Sequence, residues 1–114
     1  MKVLIVEPLK APYEREIDGG LESMQKVVGG YIQAIYPFED DELALICNEE
    51  GKLTGLPFNR ALRDEDDNIY DVVVGTFFLC RAPVDEENFA SLTDKQLEFC
   101  KERFGRIEMF INRV

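Results

Sequence analysis

Short apolar runs recur along this chain, separated by glycine, proline or acidic clusters, and most of them alternate or run continuously as strands do. Lys2 to Val6 is unbroken until Glu7-Pro8, which predicts a strand buried on both faces. Tyr13 to Ile17 is a mixed polar segment with no clear period. Asp18-Gly19-Gly20 then offers a capping carboxylate, and Leu21, Met24, Val27 and Val28 recur at helical spacing up to Gly29-Gly30, where a left-handed glycine can close a helix of about ten residues. Tyr31 to Tyr36 reads as a strand ended by Pro37, with Tyr31, Gln33 and Ile35 on one face and Ile32, Ala34 and Tyr36 on the other. Leu43 to Cys47, the turn Asn48-Glu49-Glu50-Gly51 and a return strand from Leu53 to Leu56 predict a hairpin. Leu56 to Arg60 reads as irregular, Asp64 to Asn68 as a solvated loop, and Ile69 to Arg81 as one long strand with a bulge or close approach at Gly75.

The clearest local signature lies further on. Thr93 and Gln96 form a capping box, Leu92 and Leu97 stand where a hydrophobic staple requires them, and Leu97, Cys100 and Phe104 share the core face of the helix that follows, with Gly105 as its stop. Ile107, Met109 and Ile111 alternate, which favours a short terminal strand over a continued helix. The expected fold is α+β: one compact domain over residues 1–114, with a mixed or mainly antiparallel sheet of four to six strands packed against two helices.

Composition narrows the function classes. The 114 residues hold 23 Asp plus Glu against 13 Lys plus Arg, a net charge of −10, so the basic face that drives counterion release from a phosphate backbone is lacking and direct nucleic-acid binding is disfavoured. No histidine is present, which removes the commonest general base, the usual triad member and the main ligand of catalytic zinc; the balance leans away from an enzyme. Cys47, Cys80 and Cys100 are odd in number and embedded in apolar runs, as buried thiols of a reducing compartment are. The first apolar run is shorter than an export signal needs, and the longest, Val72 to Cys80, is broken by Gly75-Thr76 and falls far short of a bilayer span. A cytoplasmic protein without a membrane segment is expected.

Candidate chemistry is sparse. Three carboxylate clusters, at 39–42, 64–67 and 85–87, lack the spacing of a calcium loop and read as solvated loops, so neither metal nor cofactor is expected. Gly19-Gly20 and Gly29-Gly30 read as helix-flanking glycines before they read as anion cradles. The best local candidate for a ligand or partner site is Pro57-Phe58-Asn59-Arg60, joined by Tyr31: a rigid proline, aromatic rings, an amide and a guanidinium able to take a carboxylate or phosphate. The competing reading places Asn59 in a turn cap and pairs Arg60 with an internal acid.

Gly29-Gly30-Tyr31, Ile46-Cys47-Asn48-Glu49-Glu50-Gly51-Lys52-Leu53, Gly55-Leu56-Pro57-Phe58-Asn59-Arg60 and Val74-Gly75-Thr76 follow one another in an order that resembles a family of small phage and mobile-element proteins, domain of unknown function 3846, over about residues 1–82. The resemblance carries no assigned activity and implies no catalytic residue. It implies an accessory role inside a bacterial host cell, through contacts with a host or phage protein such as a defence or nucleic-acid enzyme. In that setting the acidity gains a second reading, as a mimic of DNA offered to a basic enzyme. The alternative is a pocket for a small ligand or nucleotide built around Asn59 and Arg60.

Overall fold

The computed structural model of the chain describes residues 1–111. Seven strands and two helices follow in the order β1 (Lys2–Val6), β2 (Tyr13–Glu16), α1 (Leu21–Val28), β3 (Ile32–Ile35), β4 (Leu43–Asn48), β5 (Phe58–Arg63), β6 (Ile69–Val74), β7 (Phe77–Arg81) and α2 (Asp94–Phe104). Five strands form an antiparallel sheet in the order β2-β1-β7-β4-β3, and β5 with β6 makes a separate antiparallel ribbon. The fold is therefore α+β, with five strands in a main sheet expected to have four to six, and a two-strand ribbon beside it.

The three middle strands read as unbroken apolar runs because both faces of the sheet are covered. On one face Val3, Ile5, Ala44, Ile46, Phe78 and Cys80 pack with Met24 and Val28 of α1. On the other, Leu4, Val6, Leu43, Leu45, Phe77 and Leu79 pack with Leu62 and Val73 of the ribbon and with Leu97, Cys100 and Phe104 of α2. The alternation of odd and even positions within each strand divides its side chains between the two cores.

Several local expectations hold. Gly29 takes φ 78 and its amide donates to Gln25 O at 2.8 Å, ending α1. At α2 the Thr93 hydroxyl accepts from the Gln96 amide, the Gln96 side chain accepts from the Thr93 amide, and Leu92 and Leu97 are both buried.

Others are corrected. α1 starts at Leu21 with Gly20 as its cap and no side-chain bond there; Asp18 instead accepts from the Gly20 amide two residues on. The hairpin does not form: β4 pairs with β3 and β7, while residues 49–55 coil into turns in which Thr54 N donates to Glu50 O and Leu56 N to Gly51 O. Gly55 at φ 71 and the following Pro57 are poor strand formers, and Leu53 is left 89% exposed. Residues 69–81 are two strands in different sheets. Gly75, at φ 72, turns the chain from ribbon to main sheet, and Leu56 Cδ1 would lie 2.7 Å from a Cβ there. Phe58–Arg63, read as irregular, is β5, and the polar segment from Tyr13 is the fully exposed edge strand β2. Residues 107–111 form no strand; they run beside β5, where Glu108 Oε2 accepts from the Ala61 amide at 3.0 Å.

Candidate functional site

Asn59 and Arg60 stand at the start of β5, and both are fully buried. The Asn59 amide nitrogen donates to Val6 O at 2.9 Å and to Gly75 O at 2.8 Å, tying the end of β1 to the turn between β6 and β7. The Arg60 guanidinium donates from Nε to Phe104 O at 3.1 Å, from Nη2 to Lys10 O at 2.8 Å, and from Nη1 to Asn59 Oδ1 at 2.8 Å and Asn59 O at 3.3 Å. Phe104 is the last residue of α2, so the cation meets the negative end of that helix and satisfies one of its open carbonyls. Burial lowers the Arg60 pKa, with the nearby Glu108 pulling the other way. The internal partners of Arg60 are thus carbonyl and amide oxygens rather than an acid. Four of the five N–H groups of the guanidinium are thus spent on internal oxygens, and burial keeps the side chain from being presented to a ligand at the surface.

The five sequence-nominated residues are not brought together. Tyr31, 64% exposed, lines a depression of about 460 Å³ with Gly30, Asn48, Thr54 and Leu56. Exposed Pro57 lines a neighbouring hollow of about 260 Å³ with Pro8, Val28 and Thr76, and the two hollows share Gly29 and Leu56. Phe58, the first residue of β5, is half exposed and lies edge-to-face with Phe110 at 5.4 Å between centroids. Three of the five therefore face solvent, in two separate places, over a buried pair.

A roomier depression than either lies elsewhere, between the segment entering β4 and the start of α2. It measures about 630 Å³, with Phe38, Leu43 and Phe99 as its apolar part and Glu39, Asp40, Glu42, Arg81 and Lys95 as its charged part. Phe99 is 47% exposed and meets Phe38 edge-to-face at 5.7 Å; Phe38 meets Phe104 at 6.0 Å, and Phe104 meets Phe77 at 5.3 Å. A row of four rings thus runs from the groove into the core and fixes the exposed ring in place. Gln96, held by the capping box, donates from Nε2 to Asp40 Oδ2 at 2.9 Å, while Asp40 Oδ1 accepts from the Glu42 amide at 3.0 Å. Asp40 is thereby fixed across the groove mouth. Beneath it, burial first and the Asp40 charge second push the Cys100 thiol up to about 12, which makes it inert as a nucleophile.

The sequence reading missed this groove because its acids lie in a cluster that resembles any solvated loop, and because Phe99 falls between core positions on α2. The one available signal was Phe38 directly before Glu39-Asp40-Asp41-Glu42. Elsewhere the acidic loops bond to themselves: Asp64 Oδ1 accepts from the amides of Asp66 and Asn68. Among the described residues, no three His, Cys, Asp or Glu side chains are grouped so as to hold a metal ion, and no helix is long and apolar enough to cross a membrane.

Two buried layers on an antiparallel sheet, with an apolar groove beside α2, define a small α+β domain. The family model described as Domain of unknown function (DUF3846) matches residues 1–105, and the chain belongs to that family. The match runs through α2, beyond the stretch of motifs that first indicated it. No curated protein and no solved structure matches the chain.

Proposed function

We propose that the chain is an interaction domain, an accessory protein of a phage or mobile element that acts in the host cytoplasm by gripping a segment of a partner protein. The observation that carries this reading is the groove of about 630 Å³ between α2 and the entry to β4, apolar within and mostly acidic at its mouth. Its chemistry selects an occupant: a segment that places a leucine or aromatic side chain against Phe38 and Phe99, flanked by lysine or arginine facing Glu39, Asp40 and Glu42. Basic segments of that kind are common on nucleic-acid enzymes, and the net charge of −10 would speed their approach. The setting in a mobile element rests on the resemblance of the sequence motifs.

The test uses two fluorescent peptides, one with a central tryptophan flanked by arginines and one with those arginines replaced by glutamates. Fluorescence anisotropy should show binding of the first alone, weakened at least tenfold by Phe99→Asp and weakened further by salt. Phe99 is half exposed, so its replacement leaves the core rings in place and a loss of binding reports the groove. Equal binding of both peptides, or of the basic one to wild type and Phe99→Asp alike, would sink the proposal.

A further inference from the structure

β3 is an end strand of the main sheet, with its outer edge unpaired among the described residues. Tyr31 O accepts from the Glu49 amide at 2.8 Å, so the alternation of an antiparallel ladder commits the backbones of Tyr31, Gln33 and Ile35 to β4. Those of Ile32, Ala34 and Tyr36 point the other way, out along the edge.

The chemistry of this edge differs from that of its counterpart. β2, at the opposite end of the sheet, reads Tyr-Glu-Arg-Glu, and charges of that sort keep an edge from pairing with another chain. Glu14 is bonded to Lys101 and Glu16 to the N-terminal amine, which fixes charge along that edge. β3 carries none. From Val27 to Phe38 the sequence has no charged residue, in a chain that is 32% charged. Such a stretch is expected inside a core, yet Tyr31 is 64% and Tyr36 49% exposed. Water satisfies such an edge in the free chain, and the protein element that matches its whole row of open amides and carbonyls is another extended strand.

We propose that this strand is β3 of a second copy, the two pairing antiparallel about a two-fold axis at Ala34 and joining the two main sheets into one. A two-fold axis makes one residue face itself, and the outward set Ile32, Ala34, Tyr36 is centred on the smallest of the three. Ala34 meeting Ala34 of the partner subunit leaves room at the axis. Ile32 then falls opposite Tyr36 of the partner subunit on either side, an aromatic and β-branched pairing that sheets favour. Every outward backbone group of the three residues finds a partner in this register. Charge points the same way: two chains of −10 repel, and the uncharged edge is where they can approach at least cost. Self-association therefore strengthens with salt, whereas the groove's grip on a basic segment weakens with it.

Sedimentation from low micromolar to near-millimolar protein, at low and high salt, should show a monomer giving way to a dimer, with the dimer favoured by salt. Amide hydrogen exchange at Ile32, Ala34 and Tyr36 should slow as the dimer fills, and no other strand should gain protection. The double variant Gln33→Glu, Tyr36→Glu places like charges along the edge and should stay monomeric with an unchanged melting temperature in dilute solution, while Arg15→Gln on β2 leaves the dimer intact. A wild type that remains monomeric throughout overturns the proposal, as does a folded double variant that still dimerises. Where the double variant does not fold, the exchange at Ile32, Ala34 and Tyr36 decides: no concentration dependence there overturns it.

Discussion

Replacing Arg60 by methionine tests whether the strongest cation of the sequence is a ligand-binding group or an internal strut. Methionine keeps most of the stem volume and deletes the fork. Phe104 O, Lys10 O and Asn59 Oδ1 then lose their donor in a site without solvent. Leaving a buried polar group unpaired costs about 1–3 kcal/mol, and with three oxygens losing their donor the total after partial relaxation is about 3–5 kcal/mol. With an unfolding entropy of roughly 2.1 cal/mol/K per residue, the 114-residue chain loses about 4 °C per kcal/mol, so Arg60→Met should melt roughly 12–20 °C lower. Arg60→Lys keeps the charge but not the planar fork that reaches three segments at once, and should fall between the two. Thermal and urea unfolding followed by circular dichroism provide the measurement. A variant melting within about 3 °C of wild type, coupled with a phosphate- or carboxylate-bearing metabolite that stabilises wild type but not Arg60→Met, would refute the reasoning and restore Arg60 as a binding group.

The capping box of α2 predicts that Thr93→Ala costs about 1 kcal/mol and roughly 4 °C, seen in the same melts. Gly75→Ala forces a side chain into φ 72 and against Leu56, and should cost at least about 1 kcal/mol; a neutral result would mean that the turn between β6 and β7 relaxes freely. Burial pushes the thiols of Cys80 and Cys100 up to about 12, so thiol reagents at mildly alkaline pH should label them only as fast as the protein opens. Since those folded values lie above the unfolded value of 9.0, the stabilisation is complete below pH 9.0 and is lost as pH rises toward 12, by about 1.4 kcal/mol per pH unit for each thiol. Asp71 has its pKa lowered chiefly by the Lys52 hydrogen bond, so the small contribution of that half-exposed pair is present above the usual value of 3.8 and disappears as pH falls through the lower folded value. Lys52→Met should therefore melt slightly below wild type at neutral pH and match it in acid.

The sequence pattern was most legible where local chemistry and tertiary context agree. Thr93 and Gln96 announce α2 because the capping box closes between neighbours, and Lys2 to Val6 announces a central strand because both of its faces meet apolar layers. It failed where a distant partner decides. β2 has no apolar face of its own and is a strand only because β1 offers it an edge. Phe58 to Arg63 contains a buried amide and guanidinium in place of alternation, and it is held as a strand by β6 and by oxygens up to 53 residues away along the chain. The hairpin after Asn48 was a sound local inference from Glu49-Glu50-Gly51, yet β3 and β7 already occupy both edges of β4, so no edge remained for a return strand. The pairing of Asn59 with Arg60 was visible as an unusual composition; that it points inward follows from carbonyls on β1, on α2 and in two loops, which no local pattern encodes.

Charge placement links the two proposed surfaces. The surplus of acids is uneven: the mouth of the groove beside α2 carries Glu39, Asp40 and Glu42, and the β3 edge, one turn of chain earlier, carries none. A uniform acidic surface would repel a second copy everywhere and attract any basic segment anywhere. Segregation lets one small domain present two interfaces with opposite responses to ionic strength, since screening removes attraction at the groove and repulsion at the edge. The segment from Pro37 to Glu42 joins the two, and a basic segment seated on the groove lowers the net negative charge with which two copies repel. Binding at the groove should then favour pairing at the edge at low salt, and the coupling should vanish at high salt.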